Sequence, residues 1–334
     1  MKKILDNPDN VIDDMVLGFL TAHSSIVSLV GDTGRALVRT QRAVNKVGIV
    51  IGGGSGHEPA FLGYVGKGLA DGVALGNIFA SPSPDPIMDA ARAVNTGRGI
   101  LLIYGNYAGD CMNFEMAADG LEEEGIPVRR VIVSDDVASA TDKADRRGIA
   151  GEVLIYKIAG GLAEEGFNLD DVARITQEAA DSTFSIGAAW TPCTLPQTGL
   201  PSFEIGENEM EIGLGVHGEP GIQRRSMTSA EELANIMLTR IVAVAPPPLG
   251  PVSVLINGLG STSLMELYLF YNQVHRKLQH YGAIEIKALV GNYITSQEMG
   301  GCSVSVMRLD DQRTQALLAP CHAIGWTQLN PVAP

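Results

Sequence analysis

Apolar positions in this chain recur with two periods. Between Val11 and His23, the residues Ile12, Met15, Val16, Phe19 and Leu20 fall at helical spacing and predict an amphipathic N-terminal helix. Four short, largely apolar runs follow, at 47–51, 73–79, 99–104 and 128–133, and each reads as a strand, the first and third buried. The intervening segments 87–94, 112–124, 153–165 and 169–180 carry helical stripes, such as Leu154, Ile158 and Leu162, and Asn168 is placed to cap the last. Strands that are apolar throughout and alternate with helices predict a largely parallel sheet covered on both faces. Near Phe184 the pattern changes to proline-punctuated sequence, Thr191-Pro192-Cys193-Thr194-Leu195-Pro196, which places a boundary between segments 1–184 and 185–334. Beyond it, strands are predicted at 209–216, 252–256, 284–290 and 302–308. Helices are predicted at 230–241, capped by Ser229, and at 264–280. The expected fold is two α/β domains, each a largely parallel or mixed sheet flanked by helices.

Polar residues gather where the first strands end. The segments 52–59, 80–86 and 105–110 are sharply turned, and in a parallel sheet such ends lie side by side. His57, Ser81 and Asp110 are therefore expected at one crevice. The first of these ends, Gly52-Gly53-Gly54-Ser55-Gly56-His57-Glu58-Pro59, reads as a glycine loop whose amides at Gly53 and Gly54 can approach an oxygen-rich ligand. It does not read as a dinucleotide loop, because His57 stands in the third glycine place and Pro59 interrupts a helix start; nor does it have the Gly-Lys-Ser/Thr ending of a phosphate loop. His217 repeats the context of His57, a histidine in a glycine turn after a strand, in His217-Gly218-Glu219-Pro220-Gly221. Imidazole exchanges protons near neutral pH, so these two are the candidates for chemistry. His23, His275, His280 and His322 read as fillers. Asp110 reads either as a general base or as a helix cap. Asp135-Asp136 reads as a turn and cap, and no metal site is expected, since the spacing a metal would need is missing.

Composition narrows the class. The formal net charge is −14, with 24 Lys and Arg against 38 Asp and Glu. That leaves no cationic excess for nucleic acid or for an anionic membrane surface. Asp6, Asp9, Asp13 and Asp14 stand where a signal peptide needs apolar residues, and no run approaches a spanning helix. Cys111, Cys193, Cys302 and Cys321 form no Cys-x-x-Cys pair and read as thiols of a reducing, cytoplasmic compartment.

In order along the chain, Gly52 to Pro59, Phe79-Ala80-Ser81-Pro82-Ser83-Pro84-Asp85, Asn106-Tyr107-Ala108-Gly109-Asp110 with Asn113-Phe114, Arg146-Arg147-Gly148, Glu209 to Gly221 and Tyr293-Ile294-Thr295-Ser296 resemble the substrate-binding subunit of the dihydroxyacetone kinases. The opening Met1-Lys2-Lys3-Ile4 fits as well. The resemblance implies two α/β domains, usually a homodimer. It implies that His217 bonds covalently to a small ketose as a hemiaminal, with His57 and Asp110 serving the acceptor hydroxyl. It also implies that no cofactor is bound by this chain: ATP or ADP with magnesium belongs to a helical, nucleotide-binding kinase subunit, separate here because the sequence shows no such domain before Pro334. The donor is then ATP or a phosphotransferase relay.

Two positions depart from the pattern. Gly105 stands where lysine is frequent, and Ala108 where threonine is common. They open the question of a four-carbon ketose such as erythrulose. A rival reading within the same resemblance is a ligand-sensing paralogue that contacts a transcription regulator; His217 suffices for sensing, whereas His57 and Asp110 argue for catalysis. A nucleotide-dependent oxidoreductase fails on the missing third glycine.

Overall fold

The computed structural model describes residues 3–329. It contains two compact units. In one, strands β1 (Val27–Val30), β2 (Ala36–Arg39), β3 (Gly48–Ser55), β4 (Gly72–Ile78), β5 (Ile100–Gly105) and β6 (Val128–Val133) form a sheet in the order β1-β2-β4-β3-β5-β6. The pairs β3–β4, β3–β5 and β5–β6 are parallel; β1–β2 and β2–β4 are antiparallel. Helix α1 spans Val11–His23, α2 Pro84–Val94 and α3 Ala108–Glu123. Val50, Ala74, Leu102 and Tyr104 of the sheet share a core with Ile87, Ala90, Ala91, Phe114, Ala117 and Leu121 of α2 and α3.

The connections out of β3 and β4 fix where a ligand belongs. From β3 the chain moves to β4 on one side, and from β4 through α2 to β5 on the other. The strand order thus reverses between β3 and β5, and an open α/β sheet binds ligands at the carboxyl ends beside such a reversal. Pairing of β5 with β3 runs from Ile100 to Ile103 and stops, while β3 continues to Ser55 along β4 alone.

Helices α4 (Glu152–Glu164) and α5 (Leu169–Asp181) lead to the second sheet. There β7 (Thr183–Thr191), β8 (Glu209–Ile212), β9 (Gln223–Ser226), β10 (Gly250–Gly258), β11 (Ala283–Gly291) and β12 (Gly300–Arg308) take the order β11-β10-β12-β7-β8-β9. Only β10–β11 is a parallel pair. Helices α6 (Ala230–Val244) and α7 (Leu264–His280) cover one face through Leu233, Met237, Ile241, Leu267, Phe270 and Val274. Ser229 accepts the Glu232 amide at the start of α6, and Ser263 with Glu266 makes a capping box on α7. Helix α8 (Asp311–Leu318) follows the sheet.

Several boundaries differ from the sequence expectation. The first glycines are strand rather than loop, since β3 runs to Ser55. Strand β7 is additional to the expected elements and runs up to the proline-punctuated segment 191–196. Its alternation is that of a half-apolar strand: Ile186 and Ala188 join the helix-covered core while Ser185 hydrogen-bonds Ser305 at 2.6 Å. The compact units also differ from the segments 1–184 and 185–334. Residues 134–154 group with 179–311, whereas 155–178 and the chain from Gln312 group with the first sheet. Hydrogen bonding gives the reason. The Ser185 amide donates to the Asp135 carbonyl and the Val137 amide to that of Ser185, which joins the 135–137 segment to β7. Lys157 Nζ donates to the Ala316 carbonyl at 2.7 Å, which joins α4 to α8.

Candidate functional site

In the first unit, three strand ends are held to one another. His57 follows β3 and is 3% exposed. Its ring stacks on Phe79, from the end of β4, with centroids 4.8 Å apart, and meets the edge of Phe61. Phe79 stands in the left-handed region at φ 55°, and its amide donates to the Ser55 carbonyl. Glu58 accepts the Gly56 amide at 3.0 Å. Burial pushes its carboxyl above the usual range, against that hydrogen bond. Ser81 accepts a hydrogen bond from Asn113 of α3 at 3.2 Å, and Gly109 approaches Ser81 so closely that an added Cβ would lie 3.2 Å from the serine Cβ. Asp110 is buried in the first turn of α3. The N-cap position belongs to Tyr107, so Asp110 is not the cap; its carboxylate stands at the positive end of the helix.

The glycines of β3 serve packing. An added Cβ at Gly52 would strike the Ala74 carbonyl, and at Gly53 the Phe61 ring. At Gly54 it would lie 2.6 Å from the Ala80 amide nitrogen. Of the glycines from 52 to 56, Gly56 alone has a left-handed backbone, at φ 98°. Gly53 and Gly54 thus lie in strand rather than loop: their missing side chains let Phe61 and the 79–80 backbone lie against β3 beside His57.

The second unit holds His217, in the turn between β8 and β9. Its side chain is 24% exposed. Nδ1 lies 2.9 Å from Glu219 Oε1, while Oε2 of the same carboxylate accepts the His217 amide at 2.9 Å. Burial would raise the Glu219 carboxyl, but the hydrogen bonds and charge of His217 outweigh it and bring the group down to about 2. Glu219 is therefore a carboxylate that only accepts. Nδ1 must donate, and the neutral ring carries its lone pair on Nε2. Arg147 stands behind this pair. It bonds Asp136 Oδ2 through Nε at 3.1 Å and Nη2 at 2.8 Å, and the Gly213 carbonyl through Nη2 at 2.9 Å. Its Nη1 lies 4.0 Å from Glu219. Ser296, fully buried, donates to the Val216 carbonyl at 2.5 Å. Asn257 accepts the amides of Tyr293 and Ile294 and donates to the Ile294 carbonyl, which orders the segment that carries Ser296.

Sequence reading singled out His217 and gave no role to Glu219, Arg147 or Ser296. The signal for Glu219 was present as a carboxylate two residues from a histidine. Arg147 and Ser296 lie far away in sequence, and only the family-like segments 146–148 and 293–296 marked them. Asp135 accepts the Ile149 and Gly151 amides, and Asp136 accepts the Ala138 amide. Among the described residues, no group of three or more His, Cys, Asp or Glu could hold a metal ion, and no helix is long and apolar enough to cross a membrane.

A family model described as the Dak1 domain matches residues 17–325. The chain is 43% identical over 330 residues to the dihydroxyacetone-binding subunit of a PTS-dependent dihydroxyacetone kinase of Listeria innocua, covering 98% of this chain and 100% of that one. It is 42% identical to a D-erythrulose kinase of Mycolicibacterium smegmatis, over 96% of this chain and 55% of that longer one. Among solved structures it is similar to a dihydroxyacetone kinase operon co-activator, with a TM-score of 0.89, 31% identity, and coverage of 95% of this chain and 99% of that one.

Proposed function

Because the chain belongs to the Dak1 domain family, we propose that it is the ketose-binding subunit of a small-ketose kinase and holds its substrate covalently on His217. The observation that carries this reading is the Glu219 carboxylate on Nδ1 of His217. A triose is small and polar, and hydrogen bonds to it merely replace those it makes with water, so they give little affinity. A nucleophilic nitrogen selects for a carbonyl. In the proposed step, the Nε2 lone pair forms a bond to the ketone carbon, and the carbonyl π pair moves to oxygen, which takes up a proton. The ring becomes cationic against Glu219 until Nδ1 gives up its proton. Net, one N–H has added across one C=O, and no oxidant or cofactor is consumed.

Transfer of a phosphoryl group then needs removal of the acceptor hydroxyl proton. Asp110 is the proposed base, with His57 as its partner at the same hydroxyl and Ser81 as a binding residue. The donor nucleotide with its magnesium is assigned to a separate subunit, and two copies of this chain to a homodimer. Intact mass spectrometry under gentle conditions tests the reading. The wild type with dihydroxyacetone is expected to gain one ligand mass and His217→Ala none; an adduct that persists in the variant overturns the assignment.

A second reading concerns chain length of the ketose, and Gly105 favours it. This buried residue ends β5 and bears no side chain where lysine is frequent in the family, so the volume and the donor of a lysine are both missing. Similarity to an erythrulose kinase points the same way. The expected outcome is a kcat/KM for erythrulose at least equal to that for dihydroxyacetone, moving towards the triose in Gly105→Lys. A wild type that prefers the triose by roughly tenfold, about 1.4 kcal/mol, with no change in Gly105→Lys, would rule it out. The co-activator reading is distinguished by turnover itself, which sensing does not require.

A further inference from the structure

We propose that Arg147 is a positioning residue for ketose capture: its guanidinium, anchored by Asp136, divides the negative charge of Glu219 with His217 and so keeps the imidazole in its nucleophilic form. The proposal rests on the reading that His217 captures the ketose.

Three observations carry it. The first is the chain of contacts Asp136–Arg147–Glu219–His217, at 2.8, 4.0 and 2.9 Å. The second is burial: Asp136 is fully buried and the Arg147 side chain is 14% exposed, so these charges act with little screening by water. The third is the backbone. An added Cβ at Gly215 would strike both the Glu219 carboxylate and the Arg147 guanidinium, so the turn closes on this charged pair because residue 215 is glycine. Arg147 also bonds the Gly213 carbonyl at the start of the turn. At the other end of the turn, Glu211 takes the Gly221 amide and pairs with Arg224, which neutralises that carboxylate locally.

The electrostatic consequence has a sign. A carboxylate beside an imidazole favours the imidazolium, which has no lone pair for the ketone. A cation beside that carboxylate opposes this effect. Removing the cation therefore moves the acid limb of capture, the pH below which the adduct fails to form, to higher pH. Removing the Asp136 charge leaves more of the Arg147 charge facing Glu219 and moves the limb to lower pH. Opposite shifts from two neighbouring substitutions are not what loosening a turn produces. Asp136 itself is brought up to about 6 by burial, against Arg147, so its charge is present in the wild type above that pH.

Lysine separates charge from geometry. Arginine makes its Asp136 and Gly213 bonds through one rigid fork, which a single ammonium does not reproduce. Arg147→Lys is thus expected to lose stability and keep the acid limb near its wild-type position.

The experiment is adduct formation with dihydroxyacetone, followed by intact mass from about pH 6 to 9, in the wild type, Arg147→Gln, Arg147→Lys and Asp136→Asn, with folding checked by circular dichroism. Arg147→Gln is expected to raise the acid limb by roughly 0.5–1 pH unit and Asp136→Asn to lower it by a similar amount, since a single nearby charge shifts titration on this scale. Should Arg147→Gln fail to fold, the direction of the Asp136→Asn shift decides. Limbs that stay put, or that move the same way in both variants, overturn the proposal. Absence of any adduct in the wild type instead overturns the capture reading on which it stands.

Discussion

At the scale of residues, the two candidate histidines differ in the electrostatics that single contacts create. His57 is enclosed by aromatic rings, whereas His217 is bound to a carboxylate and part-open to solvent. The Glu219 contact withstands mild acid. A carboxyl brought below its ordinary 4.5 contributes stability in full above that value and loses it only as pH falls towards about 2. Loss of capture at mildly acid pH would therefore not report protonation of Glu219. Asp110 allows binding and turnover to be separated. Asp110→Asn keeps the shape of the first turn of α3 and removes the proposed base. It is expected to retain the ketose adduct and to lose phosphoryl transfer by roughly 10²–10⁴-fold, measured with a competent donor subunit. Near-normal turnover would leave Asp110 with an electrostatic role at the helix end and nothing more.

Within each unit, elements position these residues through close approach. Strand β3 runs past the point where β5 leaves it, and its glycines let Phe61 and the end of β4 settle against it. Gly54 is the tightest test of that account, since the neighbouring atoms of Phe79 and Ala80 are backbone and have little room to yield. Gly54→Ala is expected to destabilise the fold by about 1–3 kcal/mol, the usual range for overpacking, and to weaken substrate binding along with it as the Phe79–His57 stack is displaced. Urea denaturation and ligand titration measure the two effects. Wild-type stability together with wild-type binding would show that β3 and the 79–80 segment are looser than the close contacts imply. Asn257 acts in a similar manner in the other unit. One side chain at the end of β10 takes two amides of the 293–294 segment, and Ser296 passes that order on to the His217 turn.

For the molecule as a whole, charge is arranged as closed sets. Lys46 and Arg39 meet Asp71 and Glu164 at the pole of the first sheet away from His57, and both cations and Asp71 are almost wholly buried. Asp71 also accepts the Ile49 amide at 2.9 Å, so it anchors β3 as well as balancing charge. Burial would raise the Glu164 carboxyl, yet Lys46 and Arg39 outweigh it and bring it below its ordinary value. Breaking a set of this kind leaves a buried cation without compensation. Asp71→Asn is expected to lower unfolding free energy by about 3–5 kcal/mol, read from chemical denaturation; a loss below 1 kcal/mol, the usual ceiling for an exposed pair, would mean that water reaches the network. The interleaving of the two units adds a constraint. Helices α4 and α5 each contain a boundary between units, so cutting the chain near residue 184 would not yield two independent domains.

The sequence by itself determined the elements whose signals are local. Helices α1 and α7 fall on the residues predicted for them, and β6 spans the predicted 128–133. Apolar periodicity and capping act within a few turns of chain, and so they can be read without a fold. The motifs around His57, Asp110 and His217 were legible for the same reason, as was family membership, which depends on the order of those motifs. Tertiary structure alone decided the rest. Strands β1, β2 and β9 are four residues each, too short for periodicity to carry a signal, and they exist because neighbouring strands supply their hydrogen bonds. Glycine in β3 reads as loop rather than strand, since sequence shows that a side chain is missing but not what fills its space. Arg147 and Ser296 reach the His217 turn from about 70 residues before it and 80 after it, as the Gly213 and Val216 bonds record. Contacts of that separation depend on how the whole sheet folds, and no local pattern encodes them.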